Sequence, residues 1–389
     1  MSKKLLAIML SVLMLVGLCG FGSASAADDA LRFNEDGMFK IMQLNDLQDT
    51  DNPESRTLEF VKAAIAEEQP DLIVIAGDTL SDMFFGATAD RIKTALEKIL
   101  APVVESNIPF LITQGNHDHD LDDVLSTAEQ IAVSKSFANC YIPDDVCDPG
   151  TYFVPILASG SDKVVSGVYM MDTNNKRAEG GYAGVNASQV EWYVNKSNAL
   201  KAANGGNAVP SMVFQHVPVK EIYNLLTEVE WGSNTMNAVC GTNDFRWYVL
   251  DESKMISTDS VLGEAPCSEN FDNITGQYEA WLQQGDVICA SFAHDHVNNF
   301  VGRTDDGIAL GYNGGTGFNA YGNGGERSIR LFVLNENDLY NFDTYCRTYN
   351  EIMDADLGFQ FIDLFSTGLV TYLMRIVNIF AGKIVALFM

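Results

Sequence analysis

Positive charge and histidine are scarce in this 389-residue sequence: 24 Lys and Arg and five His stand against 52 Asp and Glu, a formal net charge of −28. That deficit argues against a nucleic-acid backbone or an anionic membrane surface as an electrostatic partner, and an anionic substrate needs a local source of positive charge. Proline is rare too, 10 residues beside 32 Gly, and with 47% hydrophobic and 20% charged residues the composition excludes disordered, collagen-like and low-complexity chains. The sequence holds no Cys-x-x-Cys pair, which argues against a zinc-cysteine site, and no Gly-x-Ser-x-Gly or His-Glu-x-x-His, which removes the commonest serine and zinc hydrolases. There is no internal repeat. The length allows two domains or one large α/β domain with appendages.

The first 26 residues read as an address. Lys3 and Lys4 precede an apolar run from Leu5 to Leu18, and Ala24-Ser25-Ala26 gives a small-x-small cleavage pattern. This predicts a signal peptide over residues 1–26 and a secreted or extracytoplasmic chain. Cys19 is not a lipobox cysteine, because Leu18 stands where a small residue is required. Six cysteines remain beyond the leader, an even number compatible with disulfides. Proximity favours Cys140 with Cys147 and Cys240 with Cys267. Cys289, in an apolar run, is either bridged to Cys346 or a small buried hydrophobe.

From Phe39 short apolar runs alternate with amphipathic stretches, the pattern of βαβ units and a largely parallel sheet, over a domain spanning residues 27–348. Strands are predicted over 39–44, 72–76, 110–113, 152–157, 164–171, 212–215 and 287–292, with helices over 54–68, 89–100 and 188–202. Residues 226–275 break the pattern and read as a long insertion loop, lying either over a functional site or on the surface. The end of the chain, residues 349–389, becomes strongly apolar from Phe361. There Asp363, Thr367, Thr371, Arg375, Asn378 and Gly382 recur at helical spacing. Its longest charge-free stretch, Leu364 to Met374, is far short of the ~20 residues needed to span a bilayer. The expectation is an amphipathic C-terminal helix that lies on a membrane surface, binds a partner, or docks on its own domain.

Chemistry-bearing residues fall where predicted strands end: Asp46 after the first, Asp78 after the second, Asn116-His117-Asp118 after the third, His216 after 212–215, and His294 and His296 after 287–292. In an open α/β sheet such edges converge on the ligand crevice. Asp, Asn and imidazole ligands without thiolate suit Fe, Mn or Zn, and one carboxylate, here Asp78, can bridge two ions. Two such ions would clamp phosphate oxygens, supply hydroxide near neutral pH and provide the positive charge that the chain lacks. His117, beside Asn116 and with Asp118 adjacent to orient it, is the candidate general acid for a leaving alkoxide.

Five ordered blocks carry a resemblance: Asp46-Leu47-Gln48, Gly77-Asp78, Gly115-Asn116-His117-Asp118, His216, and Ala293-His294-Asp295-His296. From about Phe39 to His296 the sequence resembles the calcineurin-like metallophosphoesterases, and within them most closely the purple-acid-phosphatase-related branch. Phe39-Lys40-Ile41, Val213-Phe214-Gln215-His216, Gly180-Gly181-Tyr182 and the glycine-rich stretch 311–325 also match that branch. The resemblance implies a four-layer α/β/β/α sandwich and a phosphoesterase acting through a metal-bound hydroxide at a dinuclear site of divalent or trivalent Fe, Mn or Zn. It implies Asp46, Asp78 and His296, with Gln48 through its amide oxygen, for the first metal, and Asp78, Asn116, His216 and His294 for the second. Gln48 stands where the superfamily has His, and Ser81 where purple acid phosphatases have an iron-binding Tyr. The first site is therefore short of a ligand and expected to bind more weakly, and a catalytically weak or inactive metal-binding protein is the alternative. Asn174, Arg177 and Tyr182, in a loop after the strand ending near Asp172, are candidate contacts for a phosphorylated substrate.

Overall fold

The run Leu72-Ile73-Val74-Ile75-Ala76 is apolar on both faces and fully buried, as a parallel strand covered on both sides requires. It forms β2 (Leu72–Ala76), paired in parallel with β1 (Met38–Leu44) and β3 (Phe110–Thr113). Two strands absent from the sequence reading, β14 (Ser328–Asn335) and β15 (Asp343–Thr348), complete a five-stranded sheet in the order β15-β14-β1-β2-β3. A second sheet has seven strands: β12 (Phe300–Arg303), β13 (Ala309–Tyr312), β11 (Val287–Phe292), β7 (Ser211–Gln215), β6 (Val164–Met171), β5 (Thr151–Leu157) and β4 (Val146–Asp148), in that spatial order. In this computed structural model the described residues are 30–176, 181–230, 238–241, 246–267 and 275–365, with four isolated positions beyond. From Arg32 onward they form one unit, distinct from residues 1–31.

Both sheets are mixed rather than largely parallel, since β14 runs antiparallel to β1 and β5 antiparallel to β6. The link between β5 and β6 is only residues 158–163, and a parallel pair would have needed a crossover of about a dozen residues or more. The sheets face each other: Phe214 of β7 meets Phe332 of β14 edge to face at 5.7 Å, and Arg330 of β14 donates to the Tyr312 carbonyl of β13 at 3.0 Å. Helices cover the outside. Val190 and Tyr193 of helix Ala187–Ala203 pack with Tyr278 and Trp281 of helix Gln277–Gln284 against Tyr169, Val213 and Ala290. Helices Ser55–Glu68 and Ala89–Ile99 bury Phe60, Ala64, Ile92 and Leu96. The result is the expected α/β/β/α arrangement. Helix starts are fixed locally: the Thr88 side chain accepts from the Arg91 amide, and Asn186 and Gln189 form a capping box.

The insertion is not a plain loop. Its described residues form a small sheet of β8 (Leu226–Val229), β9 (Val239–Cys240) and β10 (Trp247–Leu250), ordered β8-β10-β9. The chain then returns to β12 through bridges from Met255 to Gly302 and from Val261 to Asn299.

The disulfide expectations fail. No disulfide joins the cysteines among the described residues. Cys140 bridges the outer edge of β3 in one sheet, whereas Cys147 lies in the edge strand of the other. Cys289 and Cys346 likewise belong to different sheets, on β11 and β15. Cys240 is held in the small sheet and Cys267 by its amide at Asp295. The expected polar stripe of the C-terminal tail loses its first member, because Asp363 is fully buried 2.8 Å from a guanidinium nitrogen of Arg327. Beyond the 3₁₀ turn Phe361–Phe365 the tail lies almost wholly outside the described residues, as does the predicted signal peptide. Among the described residues no helix is long and apolar enough to cross a membrane.

Candidate metal centre

Strand ends from both sheets deliver the side chains. Asp46 follows β1, Asp78 follows β2 and Asn116 follows β3, while His216 follows β7 and His294 and His296 follow β11. Three of these turn the backbone into the left-handed region that non-glycine residues seldom occupy: Asp46 (φ 51°), Asp78 (φ 50°) and His294 (φ 77°). Such strain persists where surrounding structure over-determines it, and it clusters at functional sites. Gly115 lets β2 and β3 close up, since a Cβ there would stand 2.2 Å from Asp78 Oδ1. Gly317 does the same on the far side, where a Cβ would stand 2.2 Å from the Leu47 carbonyl oxygen.

Asp78, His216 and His294 bring one ligand atom each within 4.8 Å of one another. His216 Nε2 lies 3.2 Å from Asp78 Oδ2 and 3.9 Å from Asp46 Oδ1, and His296 Nε2 lies 3.3 Å from Asp46 Oδ1. Both side-chain amide atoms of Asn116 are buried without a hydrogen-bond partner among the described residues. A buried amide left unpaired costs about 1–3 kcal/mol, which an ion bound to its oxygen would offset. The residues present therefore fit a cation. The outer contacts fit one too: His216 Nδ1 bonds the Ala76 carbonyl at 3.0 Å and His296 Nδ1 the Tyr321 carbonyl at 2.7 Å, which turns each Nε2 toward the carboxylates. Tyr321 also stacks on His296 with ring centroids 4.0 Å apart.

Burial opposes charge throughout this cluster, and the charged groups answer one another. Burial raises Asp46 and Asp78, but the neighbouring histidines outweigh it and hold both carboxyls below the ordinary range. Burial lowers His216, yet Asp78 and Asp46 carry it up to about 10; burial and charged His216 press His294 down to about 3. Protons on imidazole thus balance the carboxylates, the place a divalent cation would take.

Gln48 sits inside the cluster, its amide nitrogen 3.1 Å from Asp78 Oδ2 and 3.1 Å from His296 Nε2. The His117 amide donates to Asp78 Oδ1 at 2.8 Å, and its ring Nε2 lies 3.8 Å from Asp78 Oδ2. Asp118 does not orient that ring. Its carboxylate accepts from the Gly115, Thr79 and Leu80 amides and ties the two ligand-bearing loops together, because helical geometry points it back toward β2. The ring's partner is Asp120, 3.0 Å from His117 Nδ1, one helical turn on. That i, i+3 spacing was the signal available in the sequence.

Of the candidate substrate contacts, Tyr182 reaches the site, its ring edge to face with His294 at 4.1 Å. Asn174 bonds within its own loop, its amide nitrogen donating to the Gly184 carbonyl and to Gln189 Oε1. Arg177 lies outside the described residues. Asp172 orients His119, with Oδ1 at 2.9 Å from Nε2. The glycine-rich loop after β13 contributes what motif reading missed. Its Thr316 and Gly317 amides bond the Asn45 and Asp46 carbonyls, and Gly315 bonds that of His296. Arg327 holds the loop from behind through the carbonyls of Gly317, Ala320 and Gly324.

A model of the calcineurin-like phosphoesterase family matches residues 39–298. The chain is similar to "Probable inactive purple acid phosphatase 14" of Arabidopsis thaliana, 27% identical over 340 residues that cover 77% of this chain and 76% of that protein. "Probable inactive purple acid phosphatase 29" of the same plant is 26% identical, covering 81% of each. "Phosphatase DCR2" of Saccharomyces cerevisiae is 26% identical over 83% of this chain and 56% of its own length. Among solved structures, that of "GAP50 the anchor in the inner membrane complex of Plasmodium" covers 88% of this chain and 95% of its own at 13% identity, with a TM-score of 0.48.

Proposed function

Since the chain belongs to the calcineurin-like phosphoesterase family, we propose that it hydrolyses phosphate esters with two metal ions, and Asp78 would serve both ligand sets. Asp46, His296 and the Gln48 amide oxygen complete the first ligand set, and Asn116, His216 and His294 the second. The observation that carries this reading is Asn116, whose amide is buried and unpartnered among the described residues beside the Asp78, His216 and His294 cluster. Bound there, the ions would polarise the phosphoryl oxygens, activate the attacking water and supply the positive charge absent from this acidic surface.

The chain's own residues do the rest. Water gives a proton to bulk solvent as its oxygen bonds to phosphorus, the ester P–O bond breaks, and the leaving oxygen takes a proton from His117. Asp120 holds His117 through Nδ1, so Nε2 faces the centre. Tyr182 stands over His294 and walls the substrate side. An exported location follows from the predicted leader, and residues 361–389 would add contact with a membrane surface or partner.

A second reading, a metal-binding protein with little or no turnover, is favoured by Gln48 occupying a ligand position with a weak donor. Metal-dependent turnover of a chromogenic monoester and diester, beside Asn116→Ala, separates the two. Turnover that disappears in the variant supports the enzyme; absence of turnover with Mn, Fe and Zn supports the binding protein.

A further inference from the structure

Next to the proposed dinuclear centre lies a second ligand set of different chemistry. Cys267, His294 and Asp295 offer a thiol sulfur, an imidazole nitrogen and a carboxylate oxygen within 4.8 Å of one another. Cys267 arrives from the insertion, a part of the chain that supplies no residue to the two ligand sets above. Its position is fixed by its backbone amide, which donates to Asp295 Oδ2 at 3.1 Å. The Tyr312 hydroxyl donates to the same oxygen at 2.6 Å. Two neutral donors on Oδ2 orient the carboxylate and aim Oδ1 elsewhere, the outer support a metal-binding carboxylate needs. Asp295 is 5% exposed and Tyr312 fully buried, so solvent does not compete for these bonds. The left-handed backbone at His294 projects its ring between the two sets, with Tyr182 across it at 4.1 Å.

We propose that Cys267, His294 and Asp295 form an additional metal position, adjoining the centre that Asp78 serves and selective for zinc or another thiophilic divalent ion. Three protein ligands of Cys, His and Asp type with a fourth position open to water match what zinc accepts, and the thiolate discriminates against Mn and Mg. Binding releases the thiol proton of Cys267 to solvent and, when the second ion of the neighbouring centre is also bound, the remaining ring proton of His294, so that each ring nitrogen serves one ion; no oxidation is involved. The set differs from the two phosphoesterase sets in its sulfur, so its presence can be read without substrate, independently of turnover.

The test is cobalt substitution of the full chain after chelation. Co(II) bound by thiolate gives a sulfur-to-metal charge-transfer band in the near ultraviolet. The band is expected in the unaltered chain and in Cys147→Ser, a control on the edge strand β4, and lost in Cys267→Ser together with one equivalent of zinc per chain. No band in the unaltered chain, or a band retained in Cys267→Ser, overturns the proposal. Should Cys267→Ser fail to fold, thiol modification of the unaltered chain decides it: zinc should protect Cys267 from alkylation, mapped by peptide mass, because a metal-bound sulfur is withdrawn as a nucleophile. Unchanged alkylation of Cys267 overturns it.

Discussion

The side-chain amide of Gln48 stands 3.1 Å from His296 Nε2, in the space between the ligands of the first metal set. Its nitrogen donates to Asp78 Oδ2 as well, so accepting a metal there requires the amide to rotate and present its oxygen. Gln48→His should supply an imidazole donor instead and tighten the first ion by about 10–100-fold, with the second ion unchanged. Calorimetric titration with Mn(II) measures both steps. Equal affinities in the unaltered chain would contradict the account.

His117 and its neighbours separate by role. His117→Ala should lower turnover of substrates with poor leaving groups by about 10²–10⁴-fold and spare activated ones, as loss of a general acid does. Asp120→Asn should show a milder form of the same leaving-group dependence. Asp118→Asn should act chiefly on stability and metal affinity, because its bonds go to the Gly115, Thr79 and Leu80 amides. Leaving-group series on the three variants check this.

His119 gives the fold a pH dependence. Burial lowers its pKa, but Asp172 and Asp122 outweigh burial and raise it from 6.5 to about 9. Charged His119 favours the folded state, so its contribution is complete below about pH 6.5 and is lost as pH rises through 9. The shift corresponds to a contribution on the order of 3 kcal/mol. His119→Gln should flatten the stability profile across that window, as measured by urea unfolding at pH 6, 8 and 10.

The Arg327 and Asp363 pair ties the last described turn to the site. Both side chains are fully buried at 2.8 Å, and Asp363 also accepts from the Gly324 amide. Asp363→Ala leaves a guanidinium uncompensated and should cost about 3–5 kcal/mol. Truncation before residue 363 should have the same effect, because it removes the same carboxylate. Thermal unfolding of the Asp363→Ala chain and of the truncated chain beside the unaltered one measures the loss.

The extent to which this was legible in sequence follows from the range of each signal. Asp46, Asp78, Asn116, His216, His294 and His296 were visible because each lies within a few residues of the end of an apolar strand. Asp120 and Tyr321 were not singled out: one needed a helical turn to be recognised after Asn116, the other a loop folded back on His296. β14 escaped because Arg327 before it and Arg330 within it spoil the apolar pattern, and each is buried by polar partners that the pattern does not show, the neighbouring loop carbonyls and Asp363 for Arg327 and the Tyr312 carbonyl for Arg330. Asp363 read as solvated for the same reason. The disulfides were inferred from spacing, and spacing could not reveal that Cys140 and Cys147 belong to different sheets.

The most direct test of the central claim is hydrolysis of a chromogenic phosphate monoester and its diester analogue by the full chain. It is run after chelation and again with Mn(II) or Fe(II) restored, beside Asn116→Ala. The account predicts turnover that vanishes with chelation, returns with metal and is absent from Asn116→Ala at every metal concentration. Turnover that survives chelation, or equal turnover in Asn116→Ala, would contradict it.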